Sequence, residues 1–218
     1  QSKIELIEIG AFKNLSNLSS LLLGYNRLKI LNNGIFEGLG SLIQLQIEYN
    51  IISTIESFVF RPLVSLQELY LDHNMIVDIP SDLFANLNSL TSIFLKYNQI
   101  NIIRTGFVRN LPSLAQLSFG GNNIEQIEKN AIANLSNLRI LDLTSNKLKC
   151  IRSYYFSDLK LLKWLFLENN GINTIEKDSF ANFDKISLDL NENFLFSIDF
   201  SVFKYSNISR LDLSKNQL

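Results

Sequence analysis

Apolar residues recur along this chain in one fixed frame that is closed each time by an asparagine. The closing residues are Asn26, Asn50, Asn74, Asn98, Asn122, Asn146, Asn170, Asn193 and Asn216, spaced 24 apart six times and 23 apart twice. Around Asn50 the frame reads Leu42, Leu45, Ile47, Asn50, Ile52, Ile55, Phe60, Leu63; around Asn146 it reads Leu138, Leu141, Leu143, Asn146, Leu148, Ile151, Phe156, Leu159. Self-similarity held over so many intervals is the mark of a repeat architecture. Within each turn, Leu69-Tyr70-Leu71 and its equivalents alternate apolar and variable residues, as strand side chains do. Each turn therefore predicts one short strand with an apolar pair facing inward. Ile76, Ile79, Phe84, Leu87 and Leu90 line the rest of their turn without a sustained helical period, so the return limb is expected to be irregular, with short helical or 3₁₀ pieces. A single turn cannot bury these residues alone. Stacking turns at about 4.8 Å pairs the strands into a parallel sheet over one continuous core.

The frame has lapses. One spacer residue is missing between Ile186 and Leu188 and another between Phe203 and Ile208. The phenylalanine column (Phe12, Phe36, Phe60, Phe84, Phe156, Phe180, Phe203) is interrupted by Val108 and Ile132, with Phe107 one place early and able to swing into the empty slot. The asparagine column is read as scaffold: a strand that ends in a turn leaves backbone groups facing the core, and a buried amide satisfies both donors and acceptors.

Composition narrows the functional classes. The chain has 218 residues and a net charge of −1, without the basic face that nucleic-acid binding by bulk electrostatics requires. No apolar run reaches the length of a membrane helix. One cysteine excludes an internal disulfide framework and a four-thiolate zinc site, and one histidine excludes a two-histidine metal motif. No nucleophile with a base is found, so no enzyme, cofactor or metal is expected. Gln1 opens the sequence, no leader is visible, and the repeat is already under way in the first twenty residues. Residues 1–218 are accordingly expected to form a single array, a segment of a longer chain.

The frame Leu-x-x-Leu-x-Leu-x-x-Asn-x-Ile-x-x-Ile-x-x-x-x-Phe-x-x-Leu resembles the leucine-rich repeat, and its 24-residue form with Phe resembles the "typical" extracellular subclass. Toll and Toll-like receptor ectodomains, small matrix proteoglycans, Slit-like guidance proteins and chaoptin-like adhesion proteins belong to that subclass. The plant-type Gly-x-Ile-Pro after the asparagine is absent, as are the cysteine-rich caps that commonly flank such arrays. The resemblance implies an α/β solenoid, a horseshoe with about nine parallel strands on its concave face and an irregular or 3₁₀ convex limb. It also implies a secreted or cell-surface receptor or adhesion protein, innate immune recognition being one member of that class.

Residues that the core does not need stand on the outward side of the sheet. Two groups are candidates for partner binding. The first is aromatic: Tyr49, Tyr70, His73, Phe94 and Tyr97, on three adjacent strands. Rings supply large contact area at low entropic cost. Proteins resembling this chain often carry Tyr or His just before the asparagine, so Tyr49, His73 and Tyr97, with Tyr25, are also read as ordinary repeat filler. The second group sets Asp142, Glu168, Asp189 and Glu192 beside Trp164 and Phe166, where carboxylates could receive a basic partner segment or form a solvated acidic face. Gly120 and Gly121, between the groups, mark either a flat gap for a ligand backbone or a relaxed turn. Cys150 falls in a variable slot and is expected to be a half-exposed free thiol. Asn14, Asn17, Asn134 and Asn207 begin Asn-x-Ser sequons, acceptors for glycans if the protein is secreted.

Two functions compete. One is a recognition module that binds a protein partner through its concave sheet. The other is a structural repeat protein that assembles laterally or end to end in a matrix, coat or filament through its unpaired terminal strands.

Overall fold

The computed structural model of the protein describes residues 3–108 and 111–218. Nine parallel strands form one sheet in strict chain order: β1 (Ser20–Leu22), β2 (Gln44–Gln46), β3 (Glu68–Tyr70), β4 (Ser92–Phe94), β5 (Gln116–Ser118), β6 (Ile140–Asp142), β7 (Trp164–Phe166), β8 (Asp184–Asp189) and β9 (Asn207–Asp212). The register follows the sequence frame. Leu45 pairs with Leu69, Leu69 with Ile93, Ile93 with Leu117 and Leu117 with Leu141. Those residues are buried, as are the second members of each pair, Ile47, Leu71, Leu95, Phe119 and Leu143.

The far wall of the core is a ladder of rings. Phe36, Phe60 and Phe84 stack at centroid separations of 5.9 and 6.3 Å, and Phe156, Phe180 and Phe203 at 6.2 and 5.8 Å. Between these two runs Phe107 enters the vacated slot from its neighbouring position. It is buried, meets Phe84 edge-on at 5.4 Å and lies 5.5 Å from Phe119. Phe119 stands where the other turns carry Leu or Ile. Its larger ring packs against Phe107, and the residual void the two line is only about 10 Å³.

The convex limb is built of turns, with one 3₁₀ helix at Phe200–Phe203 and no α-helix among the described residues. Three short parallel ladders run beside it, joining Ile30–Leu31 to Thr54–Ile55, Ile102–Ile103 to Gln126–Ile127 and Cys150–Ile151 to Thr174–Ile175. These two-residue strands escape sequence reading because so short a run carries no period. Where spacers are missing, the strands lengthen. β8 and β9 have six residues each instead of three, paired through a register shift around Ile186. With one residue fewer at the strand entry, the chain has no slack for a turn and runs straight into the sheet.

The asparagines form a second ladder. Asn98 Nδ2 donates to the carbonyls of Leu71, Leu95 and Lys96 at 3.0–3.2 Å, and its Oδ1 accepts from Ile76 N at 3.0 Å. Asn50, Asn74, Asn146, Asn170 and Asn193 repeat this set. Each amide thus ties its own turn to the preceding one, and the column is scaffold.

Candidate recognition surface

Four columns of side chains cover the concave sheet and its rim, and the strand register fixes which residues are neighbours. Glu68, Ser92, Gln116, Ile140 and Trp164 share the first column; Tyr70, Phe94, Ser118, Asp142, Phe166 and Asp189 share the second. The third, beyond the strands, runs Glu48, Asp72, Lys96, Gly120, Thr144, Glu168. The fourth, just before each asparagine, runs Tyr25, Tyr49, His73, Tyr97, Gly121.

The fourth column is held in the left-handed backbone region, with φ between 53° and 57° from Tyr25 to Tyr97 and 72° at Gly121. This conformation lets each N–H reach across to the next turn, as Tyr49 N does to Asp72 O and His73 N to Lys96 O. It costs a non-glycine residue of the order of 1–2 kcal/mol. The rings offset that cost by stacking: Tyr25 on Tyr49 at 4.4 Å, Tyr49 on His73 at 4.1 Å and His73 on Tyr97 at 4.4 Å, all within 18° of parallel. The stack ends on bare backbone. A Cβ at Gly121 would lie 2.6 Å from Tyr97 Cδ1, so the missing side chain is what admits the ring. A hollow of about 450 Å³ opens beside the stack, lined by Lys3, Tyr25, Arg27, Tyr49 and His73.

Tyr70 and Phe94 form a separate stacked pair at 4.6 Å. Both are half-buried rather than fully exposed. Tyr70 donates its hydroxyl to Glu68 at 3.0 Å, and Glu68 accepts from Gln44 at 2.8 Å. Burial first, then the Glu68 hydrogen bond, pushes the Tyr70 phenol above its ordinary value, so it stays a neutral donor. The structure thus brings the five aromatic candidates together as two rows, with Glu48, Asp72 and Lys96 between them.

The second candidate group is more divided than its sequence suggests. Trp164 is exposed, while Phe166 and Glu168 are half-buried. Asp142, expected among the carboxylates open to a partner, is 8% exposed and already engaged. It accepts from Lys96 Nζ at 2.7 Å and from Thr144 N at 3.0 Å. Lys96 reaches it from two strands away because Ser118 and Gly120 lie between and carry little or no side chain. A Cβ on Gly120 would sit 3.4 Å from the Asp142 carboxylate oxygens. The gap read at Gly120 and Gly121 is therefore filled, by Asp142 and by the Tyr97 ring.

Sequence reasoning missed the charge balance of this face. Continued through Arg210 in the first column, Asp212 in the second, and Glu192 and Lys215 in the fourth, the four columns hold eight carboxylates and three cations, a net of −5 in a chain of net −1, so all other surfaces together carry +4. Each cation is paired: Lys96 with Asp142, Arg210 with Asp212 and Lys215 with Glu192. Glu48, Glu68, Asp72, Glu168 and Asp189 have no cationic partner among the described residues. Glu48 folds over Gly24, and its Oε2 is buried without a hydrogen bond. The residues were in view in the sequence as outward columns; the ion pairs show which of them lack a cation.

Burial pushes the Asp72 carboxyl above its ordinary value, against the opposing pull of its hydrogen bond from Lys96 N. A carboxyl raised on folding binds its proton more tightly in the folded state, so the stability it supports at low pH is lost as pH rises through the raised value. Asp72→Asn keeps an acceptor for Lys96 N and removes that loss. The variant is expected to melt at a higher temperature than the parent at pH 7, and the difference to shrink below about pH 4. Melting curves at the two pH values check this, and an equal or lower melting temperature at pH 7 contradicts it.

The remaining sites lie off the concave columns. Asn14, Asn17, Asn134 and Asn207 are all exposed. Cys150 is a half-buried free thiol whose pKa burial pushes up, which favours the protonated form.

The leucine rich repeat family matches the chain over residues 1–52, 19–76, 42–100, 65–124, 100–148 and 136–188. No curated protein matches it. Among solved structures, a leucine-rich-repeat protein of Leptospira interrogans is similar over 95% of this chain and 52% of its own, with 28% identity and a TM-score of 0.85. TLR13, solved with ssRNA13, is similar over 98% of this chain and 35% of its own, with 26% identity and a TM-score of 0.75. FLRT2, solved in an octameric complex with Latrophilin 3 and Unc5D, is similar over 76% of this chain and 50% of the solved chain, with 29% identity and a TM-score of 0.70. The chain thus spans about half or less of the proteins it resembles.

Proposed function

The chain belongs to the leucine-rich-repeat family, and from that premise we propose that it is a non-catalytic recognition module of a secreted or cell-surface receptor or adhesion protein, binding a protein partner through its concave sheet. The observation that carries this is the Tyr70–Phe94 pair, set in a sheet whose every strand is tied to the next by backbone and asparagine hydrogen bonds. A surface fixed in this way loses little conformational entropy on association, so contact energy goes into affinity. Tyr49, His73 and Tyr97 offer edges and polar atoms at the rim, since their faces are covered by one another. Trp164, Phe166 and Glu168 extend the contact toward the other end.

Similar proteins support the class and include partners of both kinds. FLRT2 is solved with Latrophilin 3 and Unc5D. TLR13 is solved with ssRNA13. For this chain a net of −5 on the concave columns favours a protein over a nucleic acid, whose phosphates demand cations. An extracellular place accords with the repeat subclass and with four exposed sequons, three of which, at Asn14, Asn17 and Asn134, lie outside the strands of the concave sheet.

The test is to produce the chain through a secretory host, with and without removal of N-glycans, and to probe an array of secreted and cell-surface proteins. At least one partner is expected to bind, with signal falling about tenfold or more in Tyr70→Ala and Phe94→Ala, a loss of about 1.4 kcal/mol or more. Binding should survive deglycosylation and the off-sheet change Glu125→Ala. Partners lost on off-sheet substitution alone would overturn the concave assignment.

A further inference from the structure

The charge of the concave face narrows the partner's chemistry, an inference that rests on the recognition function proposed above. The five carboxylates without cations fall into two groups. Glu48, Glu68 and Asp72 surround Tyr70, whereas Glu168 and Asp189 flank Phe166. Between them lies the neutral pair of Lys96 and Asp142. Each group therefore combines negative charge with an aromatic ring, the two features that hold an arginine or lysine head and its apolar stem. We propose that the occupant of the concave face is a cationic peptide segment of a protein partner, with two clusters of Arg or Lys side chains that seat on these two acidic, ring-bearing subsites.

The spacing of the subsites sets the spacing of the clusters. Asp72 follows β3 and Glu168 follows β7, four strand intervals apart, or roughly 19 Å. An extended chain covers that distance in about six residues. The electrostatics of Asp72 point the same way. Asp72 is held in an environment that disfavours its charge, and a neighbouring cation would relieve this. Elsewhere the surface nets +4, so a basic segment is repelled from the other faces and directed to this one.

Trp164 is the chain's one tryptophan, and it is 45% exposed on the concave face, so its emission reports occupancy directly. The probe is a short Gly/Ser peptide carrying two Arg pairs roughly six residues apart, compared with the same peptide carrying Glu pairs. The Arg peptide is expected to change Trp164 emission saturably and the Glu peptide to leave it unchanged. Affinity should fall about tenfold or more between low salt (~0.05 M) and high salt (~0.5 M). It should fall by a similar factor in the double variant Asp72→Asn/Glu168→Gln, whose fold is checked by circular dichroism. No response to the Arg peptide, an equal response to the Glu peptide, or unchanged affinity in the folded double variant overturns the proposal. The array separates the two ideas. A partner lost in Tyr70→Ala but retained by the double variant leaves concave recognition standing and removes the cationic chemistry. A partner lost only on off-sheet substitution removes both.

Discussion

Phe60→Ala is expected to lower the stability of the protein by about 3–5 kcal/mol, the largest effect of any single side-chain truncation considered. Phe60 has no exposed surface and lies between Phe36 and Phe84, parallel to both within 19°. Truncation removes the transfer energy of a whole ring and two stacking contacts. It also leaves a cavity that cannot collapse, because the rings on either side are held in register by their own strands. Urea unfolding followed by far-ultraviolet circular dichroism measures the loss. Phe203→Ala is the internal comparison: that ring is only partly buried, so its removal should cost clearly less. Equal effects at the two positions would mean that the ring ladder is not the stabilising element. Because turns interact only with their neighbours, the damage at Phe60 should also be local. Hydrogen exchange should rise first in the turns around Phe36, Phe60 and Phe84.

Asn98→Leu is expected to cost about 1–3 kcal/mol although it increases the apolar content of the core. The origin of that cost can be traced atom by atom. Of the three carbonyls that Asn98 serves, Leu71 O keeps Asn74 Nδ2, Leu95 O keeps Asn122 Nδ2, and Lys96 O keeps His73 N. Only the Ile76 N–H, bound by Asn98 Oδ1, loses its sole partner. One buried donor left without an acceptor accounts for the expected size. Asn98→Asp supplies the check, since a carboxylate accepts from Ile76 N but cannot donate to the carbonyls. If Asn98→Leu were as stable as the parent by urea unfolding, the amide ladder would be a consequence of the fold rather than a support for it.

The sheet and its register were legible in the sequence because burial imposes a period, and a period held over so many turns cannot be mistaken. Leu69, Leu71 and Phe84 must point inward in every turn, and the closing asparagine has a backbone to satisfy. Other features depend on contacts between turns that no local pattern records. Phe119 meets Phe107 only because their turns are adjacent in the stack. Asp142 reads as an available carboxylate until Lys96 is seen to cross the small residues Ser118 and Gly120 to reach it. The stack from Tyr25 to Tyr97 was visible as a column of rings, but its left-handed backbone and its termination on Gly121 were not. The charge of the face is distributed over columns that are 24 residues apart in the chain, so it emerges only when the turns are laid side by side.

The asparagine ladder has a consequence for heredity. Its bonds reach back 22 and 27 residues, no further than the preceding turn, and shorten to 21 and 26 where a turn has lost a residue. Removing or copying a block of 24 codons therefore leaves each amide facing an equivalent set of donors and acceptors, as if nothing had been cut. A gene for such a chain can lengthen or shorten by unequal recombination in whole turns without passing through an unfolded ancestor. The concave surface then changes in steps of one strand, acquiring or shedding a single row of contacts while the rest keeps its shape.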